Sequence, residues 1–337
     1  MGARMKIAFF EVEKWEEKYL SEKLSGHTLV FSKKRLTPAA AKKASDADAV
    51  AVFIYSQISA KVLDALPKAR LIATMSTGYN HIDLKECARR GITVCNVPTY
   101  GENTVAEHTF ALLLALSRKI PEAYERTKRA DFSADGLRGF DLKGKTIGVV
   151  GCGHIGRHVI RIARGFEMEV LAYERSPNLA LENEFGFRHV PLEELYAKSD
   201  IITFHVPLTE STRHMFNTAS LEKTRKGVVI LNTSRGEVID TSALIKGLRK
   251  KMIAAAGLDV LEGECDIREE KQVVSENFKK ECDLRQVLRN HVLMKFPNVL
   301  ITPHSAFNSE EALQRILDTT IENIGGFAAG RPMNIVK

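Results

Sequence analysis

KTIGVVGCGHIGRHVIRIARGFEMEVLAYE, Lys145 to Glu174, is the stretch whose reading decides the fold. An apolar run, Ile147-Gly148-Val149-Val150, enters Gly151-Cys152-Gly153-His154-Ile155-Gly156, and a helical pattern then leads to Val170-Leu171-Ala172-Tyr173-Glu174. The order is strand, glycine turn, helix, strand and acid, the signature of a dinucleotide site. Each part has a physical reason: Gly151 permits a tight turn, Gly153 lets backbone approach a pyrophosphate, and Gly156 lets the helix pack close to the strand. The helix N-terminus, beginning at His154 and Ile155, offers unpaired N–H groups to the phosphates. Glu174 falls 18 residues beyond Gly156, near the roughly 20 expected of an acid that takes ribose hydroxyls. Its charge should repel a 2′-phosphate, so NAD is the expected cofactor, with weaker NADP use left open by Arg175-Ser176 immediately after it.

Outward from this core, the chain has 337 residues, 44% hydrophobic and 27% charged, which suits two globular domains. The longest apolar segment, near Phe110 to Leu116, is far shorter than the roughly 20 residues of a membrane span. No apolar signal-peptide core follows the basic residues at the N-terminus, so a cytoplasmic location without membrane attachment is expected. Five cysteines, Cys87, Cys95, Cys152, Cys265 and Cys282, include no C-x-x-C pair, which argues for reduced thiols and against a zinc knuckle. The net charge of +7 is spread along the chain without a recognition motif; it suits an anionic substrate and cofactor rather than nucleic acid. His154 and His158 stand i, i+4 on a helix but lack a third ligand, so no metal is expected. Cys152 fills a position in the glycine turn where a small side chain suffices.

Before the fingerprint, short apolar runs (Ile7 to Phe10, Leu29 to Phe31, Ala49 to Ile54, Leu71 to Ala73, Thr93 to Val97) alternate with helical stretches such as Lys14 to Leu24 and Ala39 to Ala44. That alternation implies a parallel sheet. The apolar helix Val105 to Leu116 reads as a packing helix between domains or subunits. After the fingerprint the alternation resumes at Ile201 to Phe204, Val228 to Leu231 and Ala254 to Leu258, and a last strand runs from Val299 into Pro303 and His304. Gly263 to Lys295 is a charged insertion with some helix of its own. A helix from about Ser309 to Ala328 should return the chain to the first domain. The fold class is therefore α/β, with two doubly wound parallel-sheet domains: a Rossmann NAD-binding domain, residues 102–304, and a flavodoxin-like catalytic domain, residues 1–101 plus 305–337.

Three strand-end loops hold groups suited to moving a hydride to a 2-oxo acid: Arg235 after Asn232-Thr233-Ser234, Glu264 after Asp259-Val260-Leu261-Glu262-Gly263, and His304 after Thr302-Pro303. Together with VVGCGHIG, they sit in HVPLTEST (His205 to Thr212), LNTSRGEVID (Leu231 to Asp240), GLDVLEGE (Gly257 to Glu264) and ITPHSAF (Ile301 to Phe307). On these motifs the sequence resembles the D-isomer-specific 2-hydroxyacid dehydrogenase family over nearly its whole length, most of all the D-lactate dehydrogenase branch.

The resemblance implies a catalytic trio of Arg235, Glu264 and His304. Arg235 presents a planar fork of donors that matches a carboxylate. His304 would give a proton to the keto oxygen and take it back in the oxidation direction, and Glu264 would favour the imidazolium. The family pattern also implies cofactor contacts from Val206 and Pro207 on the adenosine side, from Thr212, from Thr233, Ser234 and Arg235 between cofactor and substrate, and from Asp259 at the nicotinamide end. Substrate contacts fall to Thr77, Gly78, Tyr100, Arg235, His304 and Phe307, in a cleft between the domains. Tyr100 and Phe307 resemble an aromatic wall suited to a methyl group, so pyruvate to D-lactate is the first expectation. Asn308, where the branch often has another aromatic, leaves a larger 2-oxo acid open. Glyoxylate or hydroxypyruvate reduction and a non-catalytic, NAD-sensing corepressor-like scaffold are the other readings. A homodimer through Val105 to Leu116 and Arg126 to Asp141 is implied.

Overall fold

Short apolar strands joined by helical crossovers must lie parallel, because a two-residue hairpin cannot connect them. The computed structural model describes residues 4–263 and 284–336. The chain divides into two compact units: Met1–Gly101 with Ser309–Lys337, and Glu102–Asn308.

In the first unit the strands are β1 (Lys6–Phe10), β2 (Thr28–Ser32), β3 (Ala49–Val52), β4 (Leu71–Thr74) and β5 (Thr93–Cys95). They pair in parallel in the order β2-β1-β3-β4-β5, the flavodoxin-like order. Every residue of β3 and β4 is buried. Their sequence, apolar but for Thr74, follows from cover on both faces. The helix Glu310–Ala328 starts where Ser309 accepts the Ala312 N–H. It packs on β4 and is tied to the N-terminal helix by the Tyr19 hydroxyl, which donates to Asp318 at 2.6 Å.

The loop after β4 is held from within. Ser76 Oγ donates to the Gly78 carbonyl at 2.7 Å and shares a 2.7 Å hydrogen bond with Thr74, whose hydroxyl also meets His81 Nε2 at 3.2 Å. Burial of His81 depresses its pKa from 6.5 to about 4. A histidine whose folded pKa is depressed favours the unfolded state once that state binds the extra proton. Stability is therefore full above pH 6.5 and is lost as pH falls from there toward about 4, by at most about 3 kcal/mol from this residue. His81→Gln is expected to flatten that fall, measured as the difference in urea midpoint between about pH 7 and pH 4.5. An unchanged difference would remove His81 from the acid response.

The second unit contains β6 (Thr146–Val150), β7 (Glu169–Tyr173), β8 (Arg188–His189), β9 (Ile201–Phe204), β10 (Val228–Asn232), β11 (Ile253–Leu258) and β12 (Val299–Ile301). All pairings are parallel, in the order β12-β11-β10-β9-β6-β7-β8. Renumbered from the first strand of the unit, this is the Rossmann order 3-2-1-4-5-6 with one strand added. Two apolar cores cover the sheet, one including Phe204, Phe216, Ile230 and Leu244, the other Phe110, Leu113, Ile147, Val149 and Ile160. The apolar helix, Glu102–Ser117, was expected at an interdomain or subunit contact. It buries Ala106, Phe110, Leu112 and Leu113 inside this unit, against the helix His154–Gly165. A side of it that reads as an interface in sequence is thus core. Within the expected insertion, a helix spans Leu284–Met294 and packs on the helix Thr241–Arg249. Among the described residues no helix is long and apolar enough to cross a membrane.

Candidate active site

Strand order reverses between β6 and β9, and crevices at such switch points bind ligands beyond the carboxyl ends of the strands. The three glycines there behave differently. Gly151 has φ +101°, and a Cβ on it would come within 2.6 Å of the His205 carbonyl oxygen. Alanine there would meet both strain and a clash. A Cβ on Gly156 would lie 2.0 Å from the Gly151 carbonyl oxygen, so the helix His154–Gly165 can approach its strand only with glycine at this place. Nothing lies within 4 Å of a Cβ on Gly153. This residue is the N-cap, and no side chain caps the helix, so its first N–H groups suit a phosphate. His154 is exposed and Ile155 half-buried at that same end.

Side by side along the carboxyl edge run the ends of β7, β6, β9, β10, β11 and β12. At the usual strand spacing of about 4.8 Å, that edge is about 24 Å long. It carries, in order, Glu174, the glycine turn, His205 to Thr212, Thr233 to Arg235, Asp259, and Thr302 to His304. Glu174 stands at one end and Arg235 and His304 toward the other, with the glycine turn between them. This arrangement fits an extended dinucleotide. After β9, Val206 packs on the core and Thr212 Oγ1 donates to the Pro207 carbonyl at 2.6 Å, tying the loop to itself.

Histidine 205 follows β9 and is half-buried as a residue, but its Nδ1 is closed off and has no hydrogen-bond partner among the described residues. Nε2 meets Thr203 Oγ1 at 2.8 Å. Burial pushes its pKa down to about 3. A ring held neutral at physiological pH keeps one N–H but lacks the far more acidic proton of an imidazolium.

The loop after β10 is built on Asn232, a buried side chain whose Nδ2 donates to the Arg235 carbonyl at 2.9 Å. Its Oδ1 accepts from the Ser234 N–H at 3.0 Å and the Ser234 hydroxyl at 2.8 Å. Thr233 Oγ1 lies 2.9 Å from Thr109 Oγ1. Arg235 has extended backbone, φ −142° and ψ 140°, and its Nη1 donates to the Ser234 carbonyl at 2.7 Å. Next to it, Gly236 must be glycine, since a Cβ would fall 2.0 Å from the Leu261 carbonyl carbon.

Asp259, 1% exposed, organises the loop that carries His304. Its Oδ1 accepts from Thr302 Oγ1 at 2.5 Å and from the Ser305 N–H at 2.9 Å; its Oδ2 accepts from the Ala306 N–H at 2.9 Å. Its own carbonyl accepts the His304 N–H at 2.8 Å. His108 Nε2 stands 2.9 Å from Thr302 Oγ1 and 3.5 Å from Asp259. His304 itself has φ +52°, a left-handed conformation that costs a non-glycine residue about 1 kcal/mol or more and persists because its surroundings impose it. The backbone thus aims the imidazole, half-buried at the strand edge, while Phe307 follows two residues past the Asp259-bound amide of Ser305.

Glu264 lies outside the described residues. Two positions earlier, Glu262 takes His214 Nε2 at 2.6 Å and the Thr241 hydroxyl at 2.9 Å, a structural commitment that the sequence did not announce. In the other unit, Thr77 Oγ1 donates to the Val97 carbonyl at 2.8 Å and its carbonyl accepts from Asn96 Nδ2 at 2.9 Å. Gly78 is fixed by Ser76 as described, and Tyr100 is half-buried. Sequence reading also missed Asn232 and His108, which act through other side chains, and His189, which meets Glu174 across two strands. Cys152 is buried, and burial, with Glu174 nearby, pushes its thiol up to about 12. It is a protonated packing group at neutral pH.

Fold and strand-end loops together define a dinucleotide-dependent dehydrogenase. The family described as D-isomer specific 2-hydroxyacid dehydrogenase, NAD binding domain, matches residues 110–306. D-lactate dehydrogenase of Escherichia coli is 38% identical over 330 residues, covering 97% of this chain and 98% of that protein. The structure of the pyruvate reductase of Chlamydomonas reinhardtii superposes with a TM-score of 0.89 at 36% identity, covering 98% of both chains. That of D-lactate dehydrogenase from Aquifex aeolicus, complexed with NAD and lactic acid, gives 0.83 at 32% identity over 96% of both. The chain belongs to the D-isomer-specific 2-hydroxyacid dehydrogenase family, and it is an oxidoreductase that uses NAD.

Proposed function

We propose that this enzyme interconverts a small 2-oxo acid and its D-2-hydroxy acid, with pyruvate and D-lactate as its best pair. The observation that carries the reading is the His304 loop, hung by its backbone on Asp259 and set two strands from Arg235 along one sheet edge. When bound, the reduced nicotinamide supplies the hydride to C2 of the acid. Arg235 holds the substrate carboxylate with charge-assisted hydrogen bonds and draws electron density from the adjacent carbonyl. The His304 imidazolium gives its proton to the keto oxygen, so that hydride and proton together reduce C=O to CH–OH. Glu264 takes the role of carboxylate partner to that ring, and Glu174 that of ribose acid. His205, held neutral, is no competitor for the acid role. Phe307, in the His304 loop, supplies an aromatic wall beside a short apolar substituent, which favours methyl.

The test follows loss of NADH absorbance with pyruvate, glyoxylate, hydroxypyruvate and bulkier 2-oxo acids, with the product's chirality determined. Pyruvate giving the D-acid with the highest kcat/KM is the expected result. Faster turnover of glyoxylate would move the substrate to a reductase of that acid. No turnover of any oxo acid despite NADH binding would leave a cofactor-sensing scaffold.

A further inference from the structure

Glu174 follows β7 directly, and its carboxylate is anchored. Oε1 stands 3.0 Å from His189 Nε2 and accepts the Asn178 N–H at 3.2 Å. The other ring nitrogen of His189, Nδ1, lies 3.0 Å from Glu182 Oε1, and the same oxygen accepts the His189 backbone N–H at 2.6 Å. The imidazole is 7% exposed, with the Phe187 ring edge-on at 4.8 Å. Parallel register places it: Ala172 of β7 pairs with His189 of β8. Each ring nitrogen thus has a carboxylate oxygen within hydrogen-bond reach, and an ionised carboxylate accepts from whichever nitrogen carries a hydrogen. The two side-chain contacts and the backbone bond to Glu182 hold the imidazole and both carboxylates in one arrangement.

We propose that His189 is a positioning residue for cofactor choice, pinning one oxygen of Glu174 so that the other faces the ribose hydroxyls and the carboxylate cannot swing away from a 2′-phosphate. This rests on the assignment of Glu174 as ribose acid made above. Discrimination against a competitor depends on a repulsive group held in place. A glutamate has up to about 2 kcal/mol of rotamer freedom to lose, and an unanchored one can rotate out while Arg175, exposed and next in sequence, turns to the phosphate. Anchoring removes that escape. Cys152 Sγ lies within 4.8 Å of the ligating atoms of Glu174 and His189, a set that a soft divalent ion could use. Both ring nitrogens are already committed to carboxylates, and the thiol is protonated, so the cluster works as an anchor and not as a metal site.

The experiment measures kcat and KM with NADH and with NADPH for the wild type, Glu174→Ala, His189→Ala, His189→Gln, Glu182→Gln and the Glu174→Ala/His189→Ala double variant. His189→Ala is expected to lower the NADH to NADPH ratio of kcat/KM about tenfold, through KM for NADH rather than kcat. His189→Gln, which keeps one donor toward Glu174, should recover most of the ratio. Glu182→Gln, a near-isosteric change that tests the anchor even if His189→Ala folds poorly, should lower it several-fold. In the Glu174→Ala background, His189→Ala should move the ratio no further. If Glu174→Ala collapses the ratio while His189→Ala and Glu182→Gln leave it as in the wild type, the positioning role is wrong and the ribose assignment stands. An unaltered ratio in Glu174→Ala itself sinks both. A wild-type ratio that shifts with EDTA would replace the anchor by a metal.

Discussion

His304→Ala is expected to lower turnover by roughly 10²- to 10⁴-fold, the usual contribution of a positioned general acid, while NADH dissociation constants change less than twofold. The argument rests on how the residue is held. Its N–H bonds the Asp259 carbonyl and the next two amides bond the Asp259 carboxylate, so removing the ring leaves the loop's framework of hydrogen bonds in place. Both histidine and alanine carry a Cβ, so the strain of φ +52° persists in the variant without a new clash. What is lost is the proton at the end of the strand edge. His205 cannot replace it, since burial keeps that ring unprotonated down to about pH 3. Steady-state rates and a fluorescence titration with NADH separate the two quantities. A variant that keeps most of its turnover would remove His304 as the acid, and one that loses NADH binding as well would make the residue structural.

Much of this site was legible because its logic is local. Gly151, Gly153 and Gly156 lie within six residues, and each shows in space the need that its spacing suggests: a positive φ, an open approach and a close packing. Arg235 and His304 stood out in short motifs expected at strand ends, and the fold sets both motifs at the carboxyl edge of one sheet. What stayed hidden depends on register. Glu174 was readable as an acid at a set distance, but its anchor His189 comes 15 residues later and reaches it only because β8, two residues long, pairs with β7. So short a strand leaves no periodicity to read. Asp259 was expected at the nicotinamide end through resemblance; what sequence did not show is that its carboxylate accepts from residues more than 40 positions away, Thr302, Ser305 and Ala306. Buried acids of this kind are recognised by the amides they satisfy, and those amides are named only by the fold. The helix Glu102–Ser117 shows the opposite limit: its apolar content was plain, but composition cannot say whether a hydrophobic face meets its own sheet or another chain.

Arg235→Lys isolates geometry from charge. The guanidinium has five donors, and the Ser234 carbonyl takes one at Nη1, an internal bond that sets the plane of the fork before a substrate arrives. Two parallel bonds to a carboxylate, each charge-assisted, are worth about 1.5 to 3 kcal/mol apiece. A lysine keeps the charge but is a flexible point donor with no plane to preset. The expected loss in kcat/KM for pyruvate is therefore roughly 10²-fold, divided between a raised KM and a lowered kcat, because in the proposed reaction the same group binds the acid and polarises its carbonyl. NADH binding should hold. The decisive comparison uses methyl pyruvate, which keeps the ketone and lacks the carboxylate: the wild type should strongly prefer the acid over the ester, Arg235→Lys should lose most of that preference, and Arg235→Ala should lose it entirely. If the preference survives in Arg235→Ala, another residue holds the carboxylate, and the order of roles along the sheet edge has to be redrawn from β10 outward.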